Sequence, residues 1–81
     1  MNNKYTIKIN SFHLLKRLND ICNKYEEDIN IGSGIHIVDA KSMIAILAFD
    51  LTRPLNIEII TSDEETIRNF YDDIESFIVR K

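Results

Sequence analysis

Apolar residues recur along this chain at two spacings, every second position or every third to fourth, and the changes between them mark its elements. Tyr5-Thr6-Ile7-Lys8-Ile9 alternates apolar and polar, the period of a half-buried strand. Asn10-Ser11 then offers side-chain oxygens for a helix start. Leu15, Leu18, Cys22 and Tyr25 follow at helical spacing with Ile21 beside them, while Lys16, Arg17, Asp20, Asn23 and Lys24 fall on the other face. This predicts an amphipathic helix from about Phe12 to Glu26. Asp28-Ile29-Asn30-Ile31 alternates again, Gly32-Ser33-Gly34 is a hairpin signal, and Ile35-His36-Ile37-Val38 is the return strand, with neither face fixed by the pattern. Leu55-Asn56-Ile57-Glu58-Ile59 is the most regular strand, set off by Arg53-Pro54, whose proline keeps the residue before it out of helical geometry. Thr61-Ser62-Asp63-Glu64-Glu65 puts capping oxygens and then acidic groups on the positive end of a last helix. Its apolar stripe is Ile67, Phe70, Tyr71, Ile74, Phe77 and Ile78, and Arg80 and Lys81 complement its negative end.

Between the hairpin and the fourth strand lies the stretch from Asp39 to Thr52. Ser42 has the chemistry of a helix N-cap, and an almost wholly apolar run follows it. A helix apolar on all sides is either fully buried or presents one face to something else. So short a helix in so small a chain is expected to put one face in the core and to leave Met43, Ile44 and Leu47 near the surface, as a patch that marks a partner site. The order β-α-β-β-α-β-α then gives an α+β, two-layer open-faced sandwich: a four-stranded antiparallel sheet with three helices on one face and the opposite face solvated.

Composition narrows the function. At 81 residues the chain, residues 1–81, is expected to be one domain. A net charge of −3 speaks against general nucleic-acid binding, which wants a basic footprint. No apolar run approaches the length of a membrane span, and Met1-Asn2-Asn3-Lys4 leads into a strand pattern rather than a signal peptide. The lone Cys22 forms no internal disulfide and sits on an apolar stripe, so a cytoplasmic protein with an inert core thiol is expected. There is no Cys/His cluster at zinc spacing and no glycine-rich phosphate loop, so neither a metal nor a cofactor is expected. Asp72, Asp73 and Glu75 read as a solvated helix face, and His36 as a residue of the open sheet face.

Lys41-Ser42-Met43-Ile44 resembles the K-S-[IL]-[MF] segment of HPr, the small phosphocarrier of the bacterial sugar phosphotransferase system. Tyr25-x-x-Asp28-Ile29 resembles that family's F-x-x-[DE]-I at the end of the first helix. The spacing between the two segments is that of HPr without gaps, and Leu51 and Thr52 sit where the family has a leucine and a turn before its last strand. The resemblance covers the chain from about Phe12 onward and implies the HPr arrangement of the sandwich. The family's G-[LI]-H-A-R-P-A motif, whose histidine takes phosphate from phosphoenolpyruvate through the system's first enzyme, is absent. The ungapped register puts Ser11 at the histidine position, His13 at the arginine position and Leu14 at the proline position. A second register pairs Phe12-His13 with [LI]-H and makes His13 the acceptor with Arg17 as its partner one turn on. It needs a two-residue deletion inside the helix, a rotation of about 200° that would displace the stripe of Leu15, Leu18, Cys22 and Tyr25.

The resemblance therefore implies an HPr-like regulatory or interaction protein related to the phosphotransferase system, no enzyme and no phosphohistidine carrier. Its partners would be phosphotransferase enzymes, a kinase or a regulator. Ser42 is the regulatory phosphorylation candidate, since the matching serine is a kinase target in many Gram-positive members. Met43, Ile44 and Leu47, with Lys16 and Arg17 for acidic partner surfaces, are the docking candidates. Two alternatives stay open: a divergent carrier that uses His13 with Arg17, and an interaction module unrelated to sugar transport on the same scaffold. Against these roles stand plainer ones. Ser11 and Ser42 are helix caps, His13, Lys16 and Arg17 are solvated helix residues, and Met43, Ile44 and Leu47 are core.

Overall fold

The computed structural model describes residues 3–79; Met1, Asn2, and the helix-end charges expected of Arg80 and Lys81, lie outside the described residues. The strands are β1 (Lys4–Ile7), β2 (Ile29–Ser33), β3 (His36–Asp39) and β4 (Leu55–Ile59). The helices are α1 (Phe12–Cys22), α2 (Met43–Ile46) and α3 (Glu64–Ile74), the last running into a 3₁₀ turn over Glu75–Phe77. The strands form one sheet in the order β1-β4-β2-β3, every pair antiparallel. β1 and β2 both pair antiparallel with β4 and so run parallel to each other, as do β3 and β4, which both pair with β2; α1 and α2 each carry the chain across the intervening strand, and all three helices pack on one face.

Alternation decides which face that is. Ile29, Ile31, Ile57 and Ile59 are buried, and Ile31 lies opposite Ile57 in the register of β2 with β4. They meet Leu15, Leu18 and Cys22 of α1 and Ile67, Phe70 and Ile74 of α3 in one core with Ile7, Ile9, Ile46 and Phe77. The stripes that predicted α1 and α3 are thus the faces that the sheet covers.

Local chemistry sets the helix starts. Ser11 Oγ accepts from Leu14 N at 3.2 Å, Ser42 Oγ from Ala45 N at 3.3 Å, and Asp63 Oδ2 from Thr66 N at 3.0 Å and Thr66 Oγ1 at 2.6 Å. Each satisfies an amide that has no partner in the first turn. Those bonds to Thr66 also hold the Asp63 carboxyl below its ordinary pKa.

Five details differ from the sequence expectation. The last helix ends at Ile74, so that Phe77 lies in the 3₁₀ turn and Ile78, in extended backbone beyond it, bridges to Ile7 of β1 instead of continuing the helical stripe. The α1 helix ends at Cys22, not Glu26. Lys24 N and Tyr25 N bond back to Ile21 O and Cys22 O, the tighter spacing of a 3₁₀ turn, which keeps Tyr25 against the core. The hairpin loop is Gly34-Ile35, because Gly32 and Ser33 are paired with Ile37 and His36. Gly34 has φ +62°, as the two-residue turn with glycine in first place requires. His36 shares the parity of Val38, opposite buried Ile31, so it lies on the helix side of β3 and not on the open face. Asp73 is no merely solvated carboxylate: it accepts from the Tyr25 hydroxyl at 2.6 Å and lies 3.6 Å from Lys24 Nζ.

Candidate functional site

The candidate surface is organised where α1 meets the segment ahead of α2. Asn19, buried on α1, donates from Nδ2 to Ala40 O at 3.1 Å. One turn on, Asn23 Nδ2 reaches Asn19 O at 2.9 Å and Lys41 O at 3.3 Å. Asp39 closes the loop from its own side: Oδ1 accepts from Lys41 N at 2.9 Å and its carbonyl from Ser42 N at 3.1 Å. Lys41 Nζ donates to Tyr25 O. The start of α2 is therefore fixed by hydrogen bonds to α1 and to the turn that follows it.

With its start fixed, α2 can point only one side inward. Ile46 is buried, Met43 is half-buried against the core, and Ile44 and Leu47 are 85% and 50% exposed. The two exposed residues lie one turn apart on the outer side, next to the capping Ser42. Ser42 itself is half-buried.

On α1 the spacing i, i+4, i+7, i+11 puts Phe12, Lys16, Asn19 and Asn23 on one flank. Asn19 and Asn23 touch the segment before α2, so this is the α2 flank. Phe12 is 60% exposed there. Its place off the buried stripe, about 60° round the helix from Leu15, is the signal in the sequence that this aromatic belongs to the surface. Lys16 is exposed and 3.5 Å from Asp20. Arg17 lies on the other flank, in a groove with Lys8, Asn10, Leu14, Ser76 and Val79. The structure thus separates the two cations: Lys16 is on the α2 flank of α1, Arg17 beside the carboxyl-terminal segment.

At the start of α1, His13 is exposed in the first turn, and Arg17 is one turn further along. The Ser11 hydroxyl is engaged as the helix cap. Cys22 is fully buried, and burial pushes its thiol up to about 12, so it stays a neutral core group. Among the described residues, no group of three or more His, Cys, Asp or Glu is placed to hold a metal ion. Nor is any helix long and apolar enough to cross a membrane.

Neither a protein-family model nor a curated protein sequence matches the chain. Among solved structures it is similar to HPr-C-His from Thermoanaerobacter tengcongensis, with 18% identity over 90% of each chain and a TM-score of 0.70. The fold is accordingly HPr-like, a four-stranded antiparallel sheet with three helices on one face. At this identity the likeness speaks for the fold alone, and function has to be argued from the residues.

Proposed function

We propose that this chain is an HPr-like regulatory or interaction protein, related to the bacterial phosphotransferase system, that binds other proteins and carries no phosphohistidine. The observation that supports this most is the outward placement of Ile44 and Leu47 next to Ser42, with Phe12 and Lys16 exposed on the flank of α1 whose Asn19 and Asn23 touch the segment before α2. Ile44 and Leu47 are held outward by a start of α2 that hydrogen bonds fix. A rigid patch loses little entropy on docking, which favours binding. The charge of Lys16 suits an acidic rim on the partner and would speed encounter more than it tightens the complex.

Ser42 is the regulatory site in this reading. A phosphate on its oxygen would lie beside the free amides of the first α2 turn and put negative charge next to Met43 and Ile44. Docking of an apolar partner would weaken while the fold stays intact. The cell compartment in this reading is the cytoplasm, and the partners are phosphotransferase enzymes, a kinase or a regulator.

A second reading, a carrier that uses His13 with Arg17, has in its favour that both side chains are exposed on neighbouring turns. Against it, the groove at Arg17 opens toward residues 76–79, away from the α2 flank. An interaction module unrelated to sugar transport has the low identity of 18% in its favour.

Titration of the isotope-labelled protein with phosphotransferase proteins tests the reading. Shifts confined to Phe12, Lys16, Met43, Ile44 and Leu47, abolished in Ile44→Lys, are expected. Binding that leaves these signals unmoved contradicts it.

A further inference from the structure

The sheet has two edges, and the chain treats them differently. The outer side of β1 is covered by the carboxyl-terminal segment: Lys8 N donates to Phe77 O and Val79 N to Thr6 O, both at 2.9 Å, with Ile7 bridged to Ile78. Among the described residues, none covers the outer side of β3 in this way. Ala40 N donates to Ile29 O, so Ala40, Val38 and His36, at alternate positions, turn their backbone groups toward β2. Ile37 then turns its N–H and C=O away from the sheet, and Asp39 its N–H; the Asp39 carbonyl is taken by Ser42 N. Around these free groups Ile35 is 93% and Ile37 64% exposed. Between Ser33 and Ala40 there is no lysine, arginine or proline, and the edge's one carboxylate is Asp39, at the end of the strand.

We infer that β3 pairs antiparallel with β3 of a second copy of this chain, about a two-fold axis at Ile37, to form a reversible dimer with a continuous eight-stranded sheet. In that register the Ile37 N–H of each copy meets the Ile37 C=O of the other, both of them groups that point away from β2, and each Asp39 lies opposite Ile35 at the partner's hairpin turn. The two Ile37 side chains meet on the open face, and Asp39 faces Ile35, so no like charges are opposed. Strands of four residues are only about 13 Å long. The contact falls below the roughly 1,200 Å² that marks a stable interface, so the dimer is a transient one. This inference is independent of the docking role of α2.

Two measurements test it. In the unsubstituted protein, amide exchange at Ile37 and Asp39 is followed over a roughly hundredfold concentration series. Slowing of at least about threefold at the top of the series, with Val38 unaffected, is expected. Rates that do not change with concentration overturn the inference. In the second, I37C and I35C are oxidised with oxidised glutathione; Cys22 is buried and takes no part. The register brings the two 37 positions within disulfide reach and leaves the 35 positions about 13 Å apart. I37C should cross-link at least about tenfold faster than I35C. Since Ile35 is the more exposed, random collision gives the reverse order, and I35C cross-linking as fast as I37C or faster overturns the register.

Discussion

Lys41 Nζ donates a hydrogen bond of 2.5 Å to the carbonyl oxygen of Tyr25. The two residues belong to the two segments on which the resemblance to HPr rests, and in space those segments touch. The lysine before Ser42 therefore has a structural use: it ties the turn after α1 to the start of α2. A charged donor on a carbonyl at a half-buried site contributes about 1.5 kcal/mol. Lys41→Met, which keeps the apolar stem, should lower the unfolding free energy by about that amount in urea denaturation. It should also speed amide exchange at Ala45, whose N–H is held by Ser42.

Ser42 separates capping from charge. Ser42→Ala removes the acceptor for Ala45 N and should cost about 1 kcal/mol, a fall of roughly 4–8 °C in a thermal scan for a chain of this size. Ser42→Asp keeps an acceptor in place and puts a negative charge on the positive helix end, so its midpoint should stay near that of the unsubstituted protein. If Ser42→Asp is nonetheless defective in partner binding, the defect lies in the surface and not in the fold.

Tyr25 gives the alkaline limb of stability. Burial, and next the bond to Asp73, raise the Tyr25 phenol above its ordinary 10.0. The folded form then holds this proton more tightly than the unfolded chain. Stability from this source is complete below pH 10.0 and is lost as the pH rises through the higher folded-state value. Tyr25→Phe should flatten that loss in denaturation series above pH 10.0. A residual slope belongs to Cys22, whose thiol burial raises, and to Tyr5, which burial and then Tyr71 raise as well. At neutral pH the same variant loses one hydrogen bond, about 1 kcal/mol.

The two glycines of the hairpin should differ in kind. A Cβ on Gly32 would lie 2.7 Å from His36 O and 3.1 Å from Ile37 Cγ1, and the backbone carbonyl cannot move without shifting β3. Gly32→Ala should cost about 1–3 kcal/mol, as overpacking does. Gly34 has open space around it but φ +62°. Gly34→Ala should cost about 1 kcal/mol of backbone strain, and Gly34→Asn less, since asparagine tolerates that region. Denaturation of the three variants gives the ranking.

Elements whose signals are local were legible in the sequence. The β4 strand runs over the expected Leu55 to Ile59, and Ser11, Ser42 and Asp63 cap helices where their side chains permit it. The end of α1 was not legible, because it depends on Asn23 reaching Lys41 O, a contact across 18 positions. Tyr25 with Asp73, across 48 positions, was hidden for the same reason. The face of His36 needed the register with β2, which an alternating run of Ile35, Ile37 and Val38 leaves undetermined. At the candidate surface, the outward placement of Ile44 and Leu47 followed from the shortness of α2. The separation of Lys16 from Arg17 followed only once Asn19 and Asn23 showed which flank faces α2.

Absence of a phosphohistidine is the central claim, and phosphoryl transfer tests it most directly. The protein is incubated with phosphoenolpyruvate and the first enzyme of the phosphotransferase system, and its intact mass is recorded at neutral and at acid pH, beside an ordinary HPr. The account predicts that HPr gains a phosphate and this chain gains none. An acid-labile phosphate adduct on this chain, absent from His13→Ala, would contradict it and make His13 the acceptor of a working carrier.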